Sequence, residues 1–502
     1  MVEKRCGKVY LVGAGPGDPG LLTLRGRDCL ARAEVVVYDK LAHPALLRLA
    51  PQAEHIFAGK RAGRHSLPQP DIDRLLVELA RRPAVVVRLK GGDPFIFGRG
   101  GEEALALAAS GIPFEVVPGV SAGVAAPAYA GIPVTHRGLS TSVTFLTGHA
   151  FDSATGGESL RRIALDGTLA VFMGAAHVGE IAESLISLGR TADTPAAVIE
   201  WGTWARQRTV RGTLGGICGA CAAAGVQPPA LFVVGAVAGL GEHLDWFSRR
   251  PLGGLRVVLT HAAEREGPLE ALLGERGADI LNFPTLRAER EPLSPEVEPG
   301  GHDWLLLTSV NAVQCVFDLL EERGLDARAL AGCTIASVGA TTADALRGRF
   351  LRPDVECAGY EPDAVAEMLD RHRPLLGASV LLPRADVART ALAPALAARG
   401  ASVTELAAYH SRPERPPRER VEALLAFKPE LVVFTNAKAV RNFGEILTAG
   451  EMGQLESSAA FAAIGPVTAR ALRDAGLEVA LEPERHTLEG LAEAVEAWWT
   501  RK

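Results

Sequence analysis

Short apolar runs, most of them stopping at glycine, punctuate the first half of this chain and leave few folds open to it. KVYLVGAG (8–15), VVVYD (35–39), AVVVRLKGGD (84–93), FEVVPG (114–119), VTFLTG (143–148), LAVFMG (169–174), AAVIEWG (196–202) and ALFVVG (230–235) each read as a strand. Helical stretches lie between most of them. Near-continuous apolar strands belong in sheets covered on both faces, so the pattern predicts an α/β fold. In such sheets ligands gather at the C-terminal strand ends, where glycine lets backbone approach them. The breaker cluster SRRPLGG (248–254) marks a domain boundary.

The second half repeats itself. LLLTSVNAVQCVFDLL (305–320) resembles LVVFTNAKAVRNFGEIL (431–447), and ASVGATTADALRG (336–348) resembles AAIGPVTARALRDAG (462–476). The segment 256–279 pairs in the same way with 379–402. An order-preserving offset of about 125 residues reads as the duplication of one α/β unit. Two Pro-rich stretches, Glu289–Gly301 and His410–Pro417, read as flexible crossovers between two lobes, with a ligand cleft between them.

At 502 residues the chain holds three or four domains of roughly 100–200 residues each. A hydrophobic fraction of 48% against 22% charged describes a core-forming composition. The net charge of −6, with no Lys/Arg block, argues against nucleic acid as a partner. No apolar run reaches the roughly 18–20 residues of a membrane span. The N-terminus lacks the apolar core of a signal peptide. Seven scattered Cys suit free thiols in a reducing cytoplasm. Cys218 and Cys221 have CxxC spacing without the second pair of a structural zinc site, so helix packing competes with metal or redox use. No metal is expected.

The loop VGAGPGDPG has Asp18 where a dinucleotide fingerprint needs its third glycine. Asp18–Pro19 reads instead as the N-cap and first residue of a helix. The ordered set VGAGPGDPGLLTLRG, VVYDKL, GKRAGRHSLPQ, VVRLKGGDPFIFGRGGEE, VVPGVSAG, YAGIPVTHRG, FLTGH, VFMG and PALFVVGAV spans residues 9–237. Together these resemble the uroporphyrinogen-III C-methyltransferases of the tetrapyrrole methylase family. The resemblance implies a two-lobed domain over 1–248 (lobes about 1–135 and 138–248) and a linker at 249–254. It implies a homodimer through this half. It also implies an S-adenosyl-L-methionine site formed by Pro16, Gly91, Gly92, Asp93, Ile96, Ser121, Ala122, Met173, Gly202 and Ala230, with S-adenosyl-L-homocysteine as product. Asp93 is suited to the cationic amino group or the ribose hydroxyls, and Met173 to packing on adenine or sulfur.

The family reaction methylates uroporphyrinogen III at C2 and C7 to give precorrin-2. The nucleophile is a pyrrole carbon, so the enzyme aligns reactants and moves protons. The resemblance puts the base at Asp39, which also reads as a cap or salt-bridge partner. It puts the acid at Lys60, which also reads as a contact to a substrate carboxylate. Arg99 and Arg137 are the expected clamps on those carboxylates, with Arg88 in the same blocks. Arg99 and Glu102 could assist proton removal, although Glu102 also reads as a surface salt bridge. His65, His136 and His149 read as hydrogen-bonding residues.

Over 255–502, TSVNAV, VGATTA, VLLPRAD, ELAAYHS, FTNAKAV and AIGPVTARAL resemble uroporphyrinogen-III synthase. The resemblance implies one lobe from 255–288 plus 412–502 and another from 289–411. It implies cyclisation of hydroxymethylbilane with inversion of ring D. Thr308, Ser309, Thr435 and Thr468 are the candidate substrate contacts, each equally a helix-capping residue. Tyr409 is the candidate acid at the leaving hydroxyl, or a packed hinge aromatic. His261 and Asn436 depart from the family pattern. They leave open a second reading, in which this half binds tetrapyrrole or regulates the first without cyclising.

Overall fold

The structure, a computed structural model, describes residues 6–59, 67–151, 166–260, 267–290, 298–359, 361–385 and 391–501. It is an α/β protein built on four sheets. In the first half, β1 (Lys8–Gly13), β2 (Val35–Tyr38), β3 (Glu54–Phe57), β4 (Val85–Lys90) and β5 (Phe114–Val117) form a sheet of order β3-β2-β4-β1-β5. Every pairing in it is parallel. Its central strands are buried on both faces, between one cluster around Leu76 and Leu107 and another around Leu30 and Leu46.

The second sheet holds β6 (Val143–Thr147), β7 (Thr168–Phe172), β8 (Pro195–Glu200), β9 (Arg208–Thr213) and β10 (Ala230–Val234), in the order β6-β7-β10-β8-β9. Only β6–β7 is parallel; β10 runs against both neighbours and β9 against β8. The apolar runs predicted β1, β2, β4–β8 and β10. They did not predict β3 and β9. Both are edge strands, exposed or half-buried along their length, so neither has a continuous apolar run to betray it.

The second half contributes β11 (Arg256–Leu259), β12 (Asp279–Asn282), β13 (Leu286–Arg290), β14 (Trp304–Leu307), β15 (Thr334–Val338), β16 (Val355–Cys357), β17 (Ser379–Ala385), β18 (Ser402–Pro413), β19 (Leu431–Phe434), β20 (Ala460–Ala463) and β21 (Val479–Leu481). They form two sheets, of order β12-β11-β19-β20-β21 and β13-β18-β17-β14-β15-β16. The repeat is visible in these orders. Without β13, the two sheets read the same way: β12 answers to β18, β11 to β17, β19 to β14, β20 to β15 and β21 to β16. Each sheet therefore takes two strands from one copy of the repeat and three from the other.

The stretches read as flexible crossovers are partly strand. β13 pairs antiparallel with β18, Leu286 opposite Pro413 and Glu289 opposite His410. Ladder hydrogen bonds thus order the start of one connection and the end of the strand feeding the other. The 249–254 segment is packed rather than loose. Leu252 is buried in the second half's core, and its N–H donates to the Arg276 carbonyl at 2.8 Å. Cys221 is buried and Cys218 exposed on the helix Ile217–Ala224, and all seven Cys are free thiols. Among the described residues no helix is long and apolar enough to cross a membrane.

Candidate active site

The C-terminal ends of β1 and β4 meet the loop after β5 with almost no room between them. A Cβ on Gly13 would lie 2.5 Å from the Cα of Gly119 and 2.6 Å from the carbonyl oxygen of Gly92. Gly15 and Gly92 exchange backbone hydrogen bonds, at 3.2 and 2.7 Å. Gly92 has φ +68°, and the space a side chain would occupy there holds one atom within 4 Å, the Ala122 nitrogen at 3.8 Å. The result is a backbone cradle facing the start of the helix Ala122–Tyr129.

The two carboxylate oxygens of Asp93 accept the N–H groups of Phe95 (2.8 Å) and Gly119 (3.0 Å). It braces the loop that carries Ile96. Ser121 is buried and caps the helix by accepting from the Gly123 N–H. Gly123 in turn abuts Phe145 and Phe172 of the second sheet. Met173 follows β7 with φ +55° and is 56% exposed. Phe97 meets Phe172 edge-on at 5.1 Å. Gly202 lies against Ala126, and Ala230 opens β10 opposite Glu200. The carbonyl of Pro16 accepts from Trp204 Nε1 at 3.1 Å. The ten residues expected to hold the cofactor are thus drawn from both sheets to one region.

Asp39, at the end of β2, is part of a buried charge cluster. Its Oδ1 accepts the Leu41 N–H at 3.1 Å and its Oδ2 lies 3.4 Å from Arg88 Nη2. Arg88 also donates through Nε to Glu103 Oε1 at 3.1 Å, and Lys90 Nζ donates to the same oxygen at 2.8 Å. Glu103 is 0% exposed, and its Oε2 has no partner among the described residues. Burial pushes the Lys90 amine down, as does Arg88, and Glu103 partly restores it. Sequence reasoning missed Lys90 and Glu103. A signal for Glu103 existed: with Gly100, Ala104 and Leu107 it lies on the buried face of its helix.

Arg99 and Glu102 form an exposed bidentate pair at 2.9 and 2.6 Å, one turn apart. Each raises or lowers the other in the direction of a stable ion pair. The surface reading of Glu102 fits this geometry, and such a pair contributes little to stability. Arg137 is exposed at the tip of the turn His136–Ser140. Lys60 and His65 lie outside the described residues, as does His261.

In the second half the repeat places like residues alike. Thr308 and Ser309 follow β14, and Thr435 and Asn436 follow β19. Ser309 Oγ accepts the Ala312 N–H at 3.1 Å, and Asn436 Oδ1 accepts the Ala439 N–H at 2.8 Å. Both residues are N-caps. Thr308 and Thr435 are half-buried beside them. Thr468 is 4% exposed in the first turn of the helix Pro466–Asp474, whose cap is Gly465, so it is not itself the cap. The backbone of Tyr409 pairs with Arg290 and with Ala385. A cavity of about 540 Å³ lies under the β18 exit, lined by Arg415, Arg418 and Asn442 among others, and holds none of the predicted residues.

Residues 8–218 match the family of tetrapyrrole (corrin/porphyrin) methylases, and residues 267–493 match uroporphyrinogen-III synthase HemD. The uroporphyrinogen-III C-methyltransferase of Bacillus subtilis (strain 168) is 42% identical over 369 residues, which cover 71% of this chain and 75% of that protein. A porphyrin biosynthesis protein HemD of Ruminiclostridium josui is 40% identical over 348 residues, 68% of this chain and 69% of that one. The crystal structure of a uroporphyrin-III-C-methyltransferase from Thermus thermophilus is 43% identical, covering 47% of this chain and 98% of its own, with a TM-score of 0.41. The chain belongs to the uroporphyrinogen-III C-methyltransferases of the tetrapyrrole methylase family, and its second half is a uroporphyrinogen-III synthase domain.

Proposed function

We propose that the chain carries out two consecutive steps of tetrapyrrole synthesis. The second half closes hydroxymethylbilane to uroporphyrinogen III with inversion of ring D, and the first half methylates that product at C2 and C7 to precorrin-2. The observation that carries the reading is the joining, in one chain, of two families whose reactions share an intermediate. We assign the first activity to 1–248, the second to 255–502 in lobes 255–288 plus 412–502 and 289–411, and the connection to 249–254.

The site fits S-adenosyl-L-methionine. Gly92 leaves a backbone cradle that a Cβ would enter beside the Ala122 nitrogen, and we assign one side of the site to Gly91, Asp93, Ile96, Ser121 and Ala122. Met173, Gly202, Ala230 and Pro16 supply the rest. When bound there, the cofactor supplies the methyl groups. The chain's own residues align the macrocycle and handle protons: Asp39 as base with Arg88 holding its carboxylate in place, Lys60 as acid, and Arg99 and Arg137 on the substrate's carboxylates. In the second half Thr308, Ser309, Thr435 and Thr468 hold the linear substrate, and Tyr409 protonates its leaving hydroxyl. A homodimer through the first half and a cytoplasmic setting belong to this reading, and seven free thiols favour a reducing compartment.

The test supplies hydroxymethylbilane anaerobically, with and without S-adenosyl-L-methionine, and resolves the isomers chromatographically. Type III uroporphyrinogen without the donor, and precorrin-2 with it, are expected. The uninverted type I isomer alone would make the second half a binding or regulatory domain.

A further inference from the structure

The cofactor region contains a contact that neither reaction requires. Trp204 follows β8, two residues after Gly202. Its indole lies on Gly17, where a Cβ would come 2.2 Å from Cδ1, and its Nε1 donates to the Pro16 carbonyl. Next to it, Thr203 Oγ1 accepts the Asp18 N–H at 3.0 Å, and Asp18 Oδ2 accepts from Tyr129 at 2.7 Å. Trp204 thus pins the loop after β1 to the loop after β8, and both loops carry expected cofactor contacts.

The far side of this pin faces the second half of the chain. His43 packs on Trp204 with ring centroids 4.6 Å apart and planes tilted by 37°. His43 caps the 3-10 turn Pro44–Leu49, and Arg48 of that turn reaches Glu270 on the helix Pro268–Glu275 through two hydrogen bonds of 3.1 and 2.9 Å. The Glu270 side chain is only 12% exposed. Arg206 covers the Trp201 and Trp204 rings at 3.6 and 4.9 Å. Arg48, on the turn that His43 caps, is therefore paired with a carboxylate of the synthase domain, Glu270.

We propose that Trp204 is a positioning residue for the methyl-donor site, and that the synthase half holds it in place through Glu270. The contact between the halves then sets cofactor affinity as well as tethering. This rests on the cofactor site proposed above. The two hydrogen bonds by which Glu270 fixes Arg48, and with it the turn that His43 caps, restrict the Trp204 pin to one arrangement. Releasing them adds arrangements in which Pro16 and Gly202 no longer face one ligand, and affinity falls by the fraction of time spent in them.

The test uses the full-length chain and S-adenosyl-L-homocysteine as the probe in titration calorimetry. Glu270→Ala lies outside both proposed active sites. It is expected to weaken binding on the order of fivefold, a typical coupling between sites. The KM for the methyl donor should rise with kcat unchanged at saturation, and cyclisation should be unaffected. Trp204→Phe, which keeps an aromatic ring but loses the N–H to Pro16 and the five-membered ring lying on Gly17, should weaken binding without changing the far-ultraviolet circular dichroism spectrum. Arg48→Glu should behave like Glu270→Ala, and the exchanged pair Arg48→Glu with Glu270→Arg should recover affinity. Wild-type affinity in Glu270→Ala and Arg48→Glu would overturn the inference, as would an exchanged pair that recovers nothing. A wild-type chain that fails to bind the probe would instead remove the cofactor site beneath it.

Discussion

Replacing Glu103 with Gln tests the electrostatics of the first half most directly. The carboxylate is wholly buried and accepts from Lys90 at 2.8 Å, Arg88 at 3.1 Å and Gln69 at 3.3 Å, all on one oxygen. The amide is nearly isosteric and can still accept a hydrogen bond, so the change is mostly one of charge. Two buried cations are then left with Asp39, which is 3.4 Å from Arg88 and more exposed. Removing one partner of a buried ion pair costs about 3–5 kcal/mol. With a urea dependence of about 3 kcal/mol per molar, the upper end of the usual range, the unfolding midpoint of this lobe should fall by about 1–2 M. The loss should also depend on pH. Burial holds the Lys90 amine below its ordinary 10.5, and losing Glu103 lowers it further. A lysine depressed in the folded state binds its proton more weakly there than in the unfolded chain. Its penalty is therefore full below the folded value and disappears as pH rises towards 10.5. The gap between variant and wild type should narrow from pH 7 to pH 9.5, read by urea midpoints at each. An unchanged midpoint at pH 7, or a gap that widens with pH, would refute the argument.

Gly92→Ala places a side chain in the left-handed region at a cost of about 1–2 kcal/mol and fills the cradle. The melting temperature should fall by a few degrees while S-adenosyl-L-homocysteine affinity falls about tenfold or more; retained affinity would place the ligand elsewhere. Burial, then Arg48, lowers His43 to about 4. The unfolded chain then takes up the proton first, and stability should fall by up to about 3 kcal/mol as pH drops from 6.5 to 4. His43→Asn can still accept the Ala45 N–H and should flatten that segment of the pH–midpoint curve; parallel curves would acquit His43. Asn436→Ala should cost about 1 kcal/mol in denaturant unfolding, and Asn436→Ser should recover most of it, as expected of an N-cap.

How much was legible depended on whether a short stretch carried its own signal. Central strands announced themselves because both faces are buried, and every residue in WLLL (304–307) or LVVF (431–434) is apolar and inaccessible. The glycine cradle was legible for a similar reason: Gly91, Gly92 and the loop glycines allow close backbone approach where few other residues could. Partnerships across the fold were not. The motif GRGGEE offers two neighbouring carboxylates, and type alone does not separate them. Phase does, since Glu103 sits on the buried face with Ala104 and Leu107 while Glu102 points to solvent and to Arg99. Arg88 and Lys90 stand two apart in one strand and so share a face. Their common partner becomes visible only when β4 and the helix Gly100–Ala109 are seen together.

The synthase half shows the same limit at the scale of topology. Its repeat could be read from the sequence, but a repeat does not say which copy supplies the strand beside β11. The two central strands are interchangeable by local criteria: four residues each, all buried, each followed by a capped helix. The chain seats β19 beside β11 and β17 beside β14, so both sheets draw on both copies. Partners such as Val257 and Leu431 are then far apart in sequence, and long-range pairing of this kind defers the gain from burial until the loop between them is closed. The exchange has a structural return. Each copy of the repeat is divided between two sheets, so neither sheet can complete its core unless the other copy is present. The β13–β18 ribbon that joins the copies is accordingly part of what makes two sheets one domain.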